Sequence, residues 1–174
     1  MQSNDDIYVD KSELLLFTNQ KINKNKRYFC VSRPRRFGKS MAAAMLAAYY
    51  SQGYSSKKLF EGLKALENKE FTAHLNQYDV TYLNIQQFLS GSLQLGELPK
   101  CIETEVMREL KAEYGDCFTE NSLGLSNALE QIYQSHAQAI RGFVFIIDEW
   151  DCLFRRRRMP GCPEKIPGFS EAAL

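Results

Sequence analysis

The sequence predicts an α/β fold in which a mainly parallel sheet is flanked by helices. Segments with strand composition alternate with helical segments, which is typical of layered α/β domains. Residues 143–147 are five consecutive apolar residues, as in a strand buried on both faces. Residues 39–50 form an alanine-rich helix whose backbone can lie close against a sheet. With 174 residues, 44% of them hydrophobic and 25% charged, the chain has the size and composition of one globular domain.

The first half of the chain contains the helix 39–50 and three further predicted elements. An apolar patch at residues 14–17 predicts a short helix in an otherwise polar segment. Residues 27–32 (RYFCVS) have strand composition, and this strand ends before Pro34, which cannot donate to a sheet. A second strand is predicted over residues 80–85.

The second half contains two predicted helices before the apolar strand. Pro99 suits a helix start, and apolar residues then recur every four positions as far as Tyr114. Another helix covers residues 125–133, and Gly142 interrupts it before the strand. We therefore divide the chain into an N-terminal extension (residues 1–26), a core domain (27–154) and an irregular tail (155–174).

Charge and cysteine content exclude several classes of protein. Lys and Arg total 22 and Asp and Glu total 21, so the chain has neither a strongly basic surface for nucleic acid nor an acidic tail. The five cysteines form no C-x-x-C pair, and neither histidine has a second ligand at metal spacing, so reduced thiols are favoured over a zinc site. No signal core or membrane-spanning run is present, which predicts a soluble, cytoplasmic protein.

Residues 32–40 (SRPRRFGKS) join a predicted strand to a predicted helix, the position at which a phosphate-binding loop occurs. Gly38 permits close backbone approach, Lys39 is expected to reach the β- and γ-phosphates, and the Ser40 hydroxyl is expected to ligate Mg²⁺. The first glycine of the usual pattern is replaced by Arg33. The alternative is an ordinary helix N-terminus, with Ser40 in its first turn and Lys39 in solvent.

The apolar strand ends in two adjacent acids, Asp148 and Glu149. In phosphate-loop enzymes an acid in this position holds Mg²⁺, and the next acid orients or deprotonates the attacking water. These roles are expected for Asp148 and Glu149 respectively, and the alternative is that both acids only cap a turn. The two motifs occur in the expected order, which favours a nucleotide site that uses Mg²⁺.

Three arginines in the loop, Arg33, Arg35 and Arg36, can form charge-assisted hydrogen bonds to phosphate. Such bonds could compensate for the absent glycine. The alternatives are contact with a nucleic-acid backbone or simple exposure to solvent.

The chain resembles the AAA-ATPase-like family of bacterial P-loop proteins. The resemblance lies in YVDKSELL (8–15), SRPRRFGKSM (32–41), YLNI (82–85) and FIIDEWD (145–151), with shorter matches at 49–50 and 59–63. It implies a P-loop NTPase fold that binds ATP and Mg²⁺, with Arg33 as a family trait. The nucleotide-binding residues it implies are Arg35, Arg36, Phe37, Gly38, Lys39, Ser40 and Met41, with Lys39 and Glu149 as catalytic residues and Ser40 and Asp148 as Mg²⁺ ligands. Family members often carry a nuclease-like domain of the PD-(D/E)xK type, which implies a nucleic-acid partner through a domain absent here.

The last 20 residues depart from this resemblance. They contain four arginines, three prolines and two glycines with no helical or strand period, and they cannot supply the further strands that carry a sensor residue and an arginine finger. A truncation or a frameshift near residue 156 is therefore expected, and translation of the other reading frames tests it. Besides an ATPase, a nucleotide-binding module that does not hydrolyse, a basic nucleic-acid-binding fragment and an unfolded fragment stay open.

Overall fold

The computed structural model is a mixed α/β structure. It describes residues 9–22, 24–25, 27–32, 34, 36–53, 55–89, 95–117, 124–136 and 141–157. In chain order the helices and strands of these residues are α1 (Glu13–Asn19), α2 (Lys39–Tyr50), α3 (Phe71–His74), β1 (Asp79–Asn84), α4 (Ile85–Phe88), α5 (Leu98–Tyr114), α6 (Leu125–Ser135), β2 (Phe143–Asp148) and α7 (Cys152–Arg157). Short 3-10 helices lie at Lys57–Phe60, Lys64–Glu67, Leu95–Glu97 and Gly115–Cys117.

Strands β1 and β2 are neighbours in a two-stranded parallel sheet, and both were predicted within a residue of their observed bounds. Just before β1, a parallel bridge links Tyr78 to Ser51, the residue that follows α2. The N–H of Tyr78 donates to the carbonyl of Tyr50 at 3.0 Å, and the N–H of Gln52 donates to the carbonyl of Tyr78 at 2.9 Å. These bonds tie the C-terminal end of α2 to the start of β1.

The prediction of a strand over residues 27–32 is wrong. These residues form no strand, and their side chains are exposed, including Tyr28 at 82%. Phe29 contacts the ring of Phe17 in α1 edge-on, with the ring centroids 6.0 Å apart. Strand propensity describes how well side chains fit a half-buried pleated surface, and it takes effect only where a partner strand is present. Among the described residues no strand pairs with residues 27–32.

The chain divides into two compact units. The first contains residues 1–82 and 138–146, and the second contains residues 83–137 and 147–174. The core of the first unit is aromatic and surrounds the C-terminal half of α2; its largest buried side chains are Tyr49, Tyr50, Phe60, Phe71 and Tyr78. Leu15 of α1, which falls in the segment expected to be an N-terminal extension, is fully buried in this same core.

Two helical clusters make up the second unit. Helix α5 begins with Pro99 in its first turn, as predicted, and contacts α6. Val106 of α5 and Ile132 of α6 are both buried. A separate cluster joins α4, the start of α5, and Leu153 of α7. Helix α7 runs to Arg157, so helical structure continues three residues into the segment predicted to be irregular. Residues 158–174, the rest of that segment, lie outside the described residues.

Candidate functional site

The candidate phosphate loop lies in the first unit, directly before α2. Its backbone is left-handed at two described positions, Arg36 with φ of +66° and Gly38 with φ of +72°. Side chains with a Cβ rarely adopt this conformation, whereas glycine does so readily, so Gly38 is suited to the last position of the loop. Helix α2 begins at the next residue, Lys39, as the sequence predicts.

The side chains of the loop differ in exposure. Phe37 and Met41 are exposed at 61% and 58%, Ser40 is exposed, and Lys39 is half-buried. Arg33 and Arg35 lie outside the described residues. Within the described part of the loop, Arg36, Phe37 and Met41 therefore present their side chains to solvent, where a bound molecule could reach them.

The N-terminal end of α2 is suited to binding an anion. Helix α2 begins at Lys39, and the N–H of Ala42 donates to the carbonyl of Gly38 at 3.0 Å. In any α-helix the N–H groups of the first turn point away from the helix body, where a cap or a ligand can bind them. These groups and the helix dipole place partial positive charge at this end of a helix. The first turn of α2 contains no acidic residue whose negative charge would repel a bound anion.

The other end of α2 is anchored by two tyrosines. The Tyr49 hydroxyl donates to the carbonyl of Phe71 at 2.6 Å and accepts a hydrogen bond from Asn19 Nδ2 at 2.8 Å. The Tyr50 hydroxyl donates to Asn19 Oδ1 at 2.7 Å and shares a hydrogen bond with the hydroxyl of Thr18. Burial raises the pKa of Tyr49 to about 12 and also raises the pKa of Tyr50, so both phenols stay neutral and hold α2 to α1.

Asn76 binds the segment that follows α2. Its backbone is left-handed, with φ of +55°, and its Nδ2 donates to the carbonyls of Ser51 at 2.6 Å and Ala48 at 3.3 Å. Its Oδ1 accepts hydrogen bonds from the N–H and the hydroxyl of Ser56. These bonds satisfy carbonyl groups at a helix C-terminus that would otherwise need water.

Lys11 contacts the loop directly, and the sequence patterns gave it no role. Its Nζ donates to the carbonyl of Phe37, and a Cβ built on Gly38 would lie 2.6 Å from the same atom. The residues on either side bind elsewhere: Asp10 Oδ2 accepts from the N–H of Lys64 at 2.9 Å, and Ser12 Oγ accepts from the N–H of Ala65 at 3.0 Å.

The Asp10 carboxylate is held in its charged form. Partial burial raises its pKa, but hydrogen bonds from the N–H groups of Lys64 and Ser12 outweigh this and bring the pKa below its ordinary value. The Asp10 contacts therefore persist at neutral pH and fix the backbone from which Lys11 projects.

The two acids of the second motif belong to the second unit. Asp148 is the last residue of β2, is only 5% exposed, and accepts a hydrogen bond from the N–H of Glu149 at 2.8 Å through Oδ1. Glu149 is left-handed, with φ of +55°. Few non-glycine residues adopt this conformation, which marks the end of β2 as a sharp change of chain direction.

Two classes of site are not found in the described part of the chain. No group of three or more His, Cys, Asp or Glu side chains there is arranged to hold a metal ion. No helix among the same residues has the length and the apolar character that crossing a bilayer requires.

Comparison with known proteins identifies the family. The family model described as Predicted AAA-ATPase matches residues 1–157 of the 174-residue chain. The chain belongs to this AAA-ATPase-like family. No curated protein and no solved structure gives a match. Family membership confirms the resemblance read from the sequence, and its match includes the loop, the acidic pair and Lys11.

Proposed function

We propose that this AAA-ATPase-like chain binds ATP with Mg²⁺ at the loop before α2 and hydrolyses it to ADP and phosphate. The observation that carries the proposal is the left-handed Gly38 followed by Lys39 at the first position of α2. A loop of this kind before a helix binds the phosphates of a nucleotide. The family described as Predicted AAA-ATPase supports the same ligand.

Each loop residue has a proposed role. The N–H groups at the start of α2 bind phosphate oxygens, and the Lys39 ammonium binds the β- and γ-phosphates. Arg35, Arg36, Phe37 and Met41 contribute further contacts to the nucleotide. The arginines act by charge-assisted hydrogen bonds, and the exposed Phe37 and Met41 offer apolar contact.

The proposed metal ligands are the Ser40 hydroxyl and the Asp148 carboxylate. Each supplies a hard oxygen atom, the kind of ligand that Mg²⁺ prefers. When bound, Mg²⁺ neutralises charge on the phosphates. Glu149 orients the attacking water for in-line displacement and accepts its proton. Supporting this, Asp148 is buried at a strand end and Glu149 follows it at a sharp change of direction.

Calorimetric titration of the full chain with Mg²⁺–ATP tests the binding step. Lys39→Ala is compared with Lys57→Ala, which removes the same charge from an exposed residue of a 3-10 helix outside the loop. Loss of a charged hydrogen-bond donor to phosphate is expected to weaken binding by roughly 10- to 100-fold. Lys57→Ala is expected to bind like the wild type. Equal affinities for the two variants, or no binding by the folded wild type, would contradict the proposal.

Phosphate release by Glu149→Gln tests the hydrolytic step. This substitution keeps the size of the side chain and removes the base, so turnover is expected to fall about 100-fold or more while ATP affinity stays within about threefold. Wild-type chain that binds ATP without releasing phosphate would instead identify a nucleotide-binding module that does not hydrolyse. Equal turnover by Glu149→Gln and the wild type would remove Glu149 from the mechanism.

A further inference from the structure

We propose that Lys11 is a positioning residue for the nucleotide-binding loop. Its ammonium holds the Phe37–Gly38 peptide in the orientation that directs the N–H of Gly38 towards bound phosphate. The inference rests on the proposed function, because it assigns the residue that sets the geometry of the same loop.

The first step is the contact itself. Lys11 Nζ donates to the Phe37 carbonyl and lies beside the Cα of Gly38, where a Cβ would be 2.6 Å away. The Phe37–Gly38 peptide is trans, so its C=O and N–H groups point in opposite directions. The ammonium is therefore on the carbonyl side of this peptide, and the N–H of Gly38 points away from it.

The second step is that the backbone around Lys11 is held while the Phe37–Gly38 peptide can rotate. Asp10 and Ser12 bind the N–H groups of Lys64 and Ala65, and Ser12 is fully buried, so the backbone on both sides of Lys11 is held. Gly38 has no Cβ, so rotation of the peptide before it meets little steric resistance. The Lys11 ammonium favours the orientation in which the Phe37 carbonyl faces it over the one in which the peptide is turned over.

The third step is electrostatic. A hydrogen bond to a peptide carbonyl polarises the whole peptide and makes its N–H a stronger donor. The Lys11 charge therefore acts on phosphate through the Phe37–Gly38 peptide and not by contact with the anion. Removal of the charge is expected to change both the direction and the strength of the Gly38 N–H as a donor.

The test compares three variants of the full chain. Lys11→Met removes the charge and the donor at similar length, Lys11→Arg retains both, and Lys57→Met removes the same charge at an exposed site outside the loop. The Gly38 amide is observed by ¹⁵N–¹H correlation spectroscopy without nucleotide. Binding of Mg²⁺–ADP, which avoids turnover, is measured by calorimetry.

Lys11→Met is expected to shift the Gly38 amide resonance and to weaken Mg²⁺–ADP binding by about tenfold, the lower end for loss of a charged hydrogen bond. Its melting temperature is expected to stay near that of the wild type, because Lys11 is exposed. Lys11→Arg is expected to restore most of the affinity. Lys57→Met is expected to leave the resonance and the affinity unchanged.

Two results would overturn the inference. One is an unchanged Gly38 resonance in Lys11→Met; the other is an Mg²⁺–ADP affinity that is equal in Lys11→Met and Lys57→Met. Absence of ADP binding by the folded wild type would refute the proposed function, and the Gly38 resonance would still decide whether Lys11 orients the peptide. Should Lys11→Met fail to fold, Lys11→Ala also removes both the charge and the donor and provides the same comparison.

Discussion

Replacement of Asn76 by alanine is expected to destabilise the first unit strongly. The side chain donates two hydrogen bonds to the carbonyls of Ser51 and Ala48 and accepts two from Ser56. A hydrogen bond contributes about 0.5–1.5 kcal/mol net, and the lower part of this range, about 0.5–0.75 kcal/mol, suits a half-buried site, so loss of the four bonds costs roughly 2–3 kcal/mol. Alanine in the left-handed conformation of residue 76 costs about 1 kcal/mol of stability more than asparagine does, because the short polar side chain of asparagine tolerates this conformation better.

The sum for Asn76→Ala is about 3–4 kcal/mol, a large share of the roughly 5–15 kcal/mol by which domains are stable. Asn76→Gly removes the same bonds without the left-handed penalty and is expected to be about 1 kcal/mol more stable than Asn76→Ala. The exposed neighbour substitution Gln77→Ala serves as the control and is expected to change stability by less than about 0.5 kcal/mol.

Urea unfolding followed by circular dichroism measures these differences, with an unchanged m-value as the condition for comparison. A loss below about 1 kcal/mol in Asn76→Ala would show that solvent replaces the four bonds without cost. Equal stabilities of Asn76→Ala and Asn76→Gly would refute the contribution assigned to the left-handed backbone.

Two further predictions concern the anchoring of α2 and the response to pH. Tyr49→Phe is expected to cost about 1–3 kcal/mol, because it leaves the Phe71 carbonyl and Asn19 Nδ2 without their buried partner, whereas Tyr133→Phe at an exposed site is expected to change little; urea unfolding compares them. Burial, and then the charge of Arg141, lowers the pKa of His74, so the folded chain binds fewer protons than the unfolded chain. The stability that neutral His74 contributes is fully present above the ordinary histidine pKa of 6.5, and it is lost as the pH falls below 6.5 towards the pKa of His74 in the folded chain. Melting temperatures from pH 7.5 to 5.0 are therefore expected to fall more steeply for the wild type than for His74→Gln, and parallel slopes would contradict this.

Local composition was sufficient to predict the elements that carry the candidate site. Helix α2 was predicted with its observed bounds because alanine, leucine and methionine favour helix whatever their surroundings. Strand β2 was predicted from its run of apolar residues, but the expectation that both of its faces are buried is wrong, because Phe145 and Ile147 are exposed at 40% and 52%. Residues 27–32 have similar composition, but strand formation depends on a partner, and the sequence does not show whether one is present.

Contacts between distant residues account for what the sequence patterns missed. Asn76 binds the Ser51 carbonyl across 25 positions, and Lys11 binds the Phe37 carbonyl across 26. Both act on backbone carbonyls, which are identical at every position and leave no trace in the side-chain pattern. The left-handed backbone at Asn76 was equally hidden, although asparagine is one of the residues that adopts it most readily.

The segment Asp10-Lys11-Ser12 explains how a surface lysine comes to serve the loop. Asp10 and Ser12, two positions apart, bind consecutive N–H groups at Lys64 and Ala65, and Lys11 between them binds the Phe37 carbonyl. The anchors are hydrogen bonds to backbone N–H groups, so they depend on the acceptor atoms of Asp10 and Ser12, and the Lys64 charge further favours the Asp10 carboxylate. It follows that Ser12→Ala should loosen Lys11 and alter the Gly38 amide although the Ser12 hydroxyl binds the N–H of Ala65, outside the loop, while Lys64→Arg, which keeps the backbone N–H and the charge, should leave that amide unchanged.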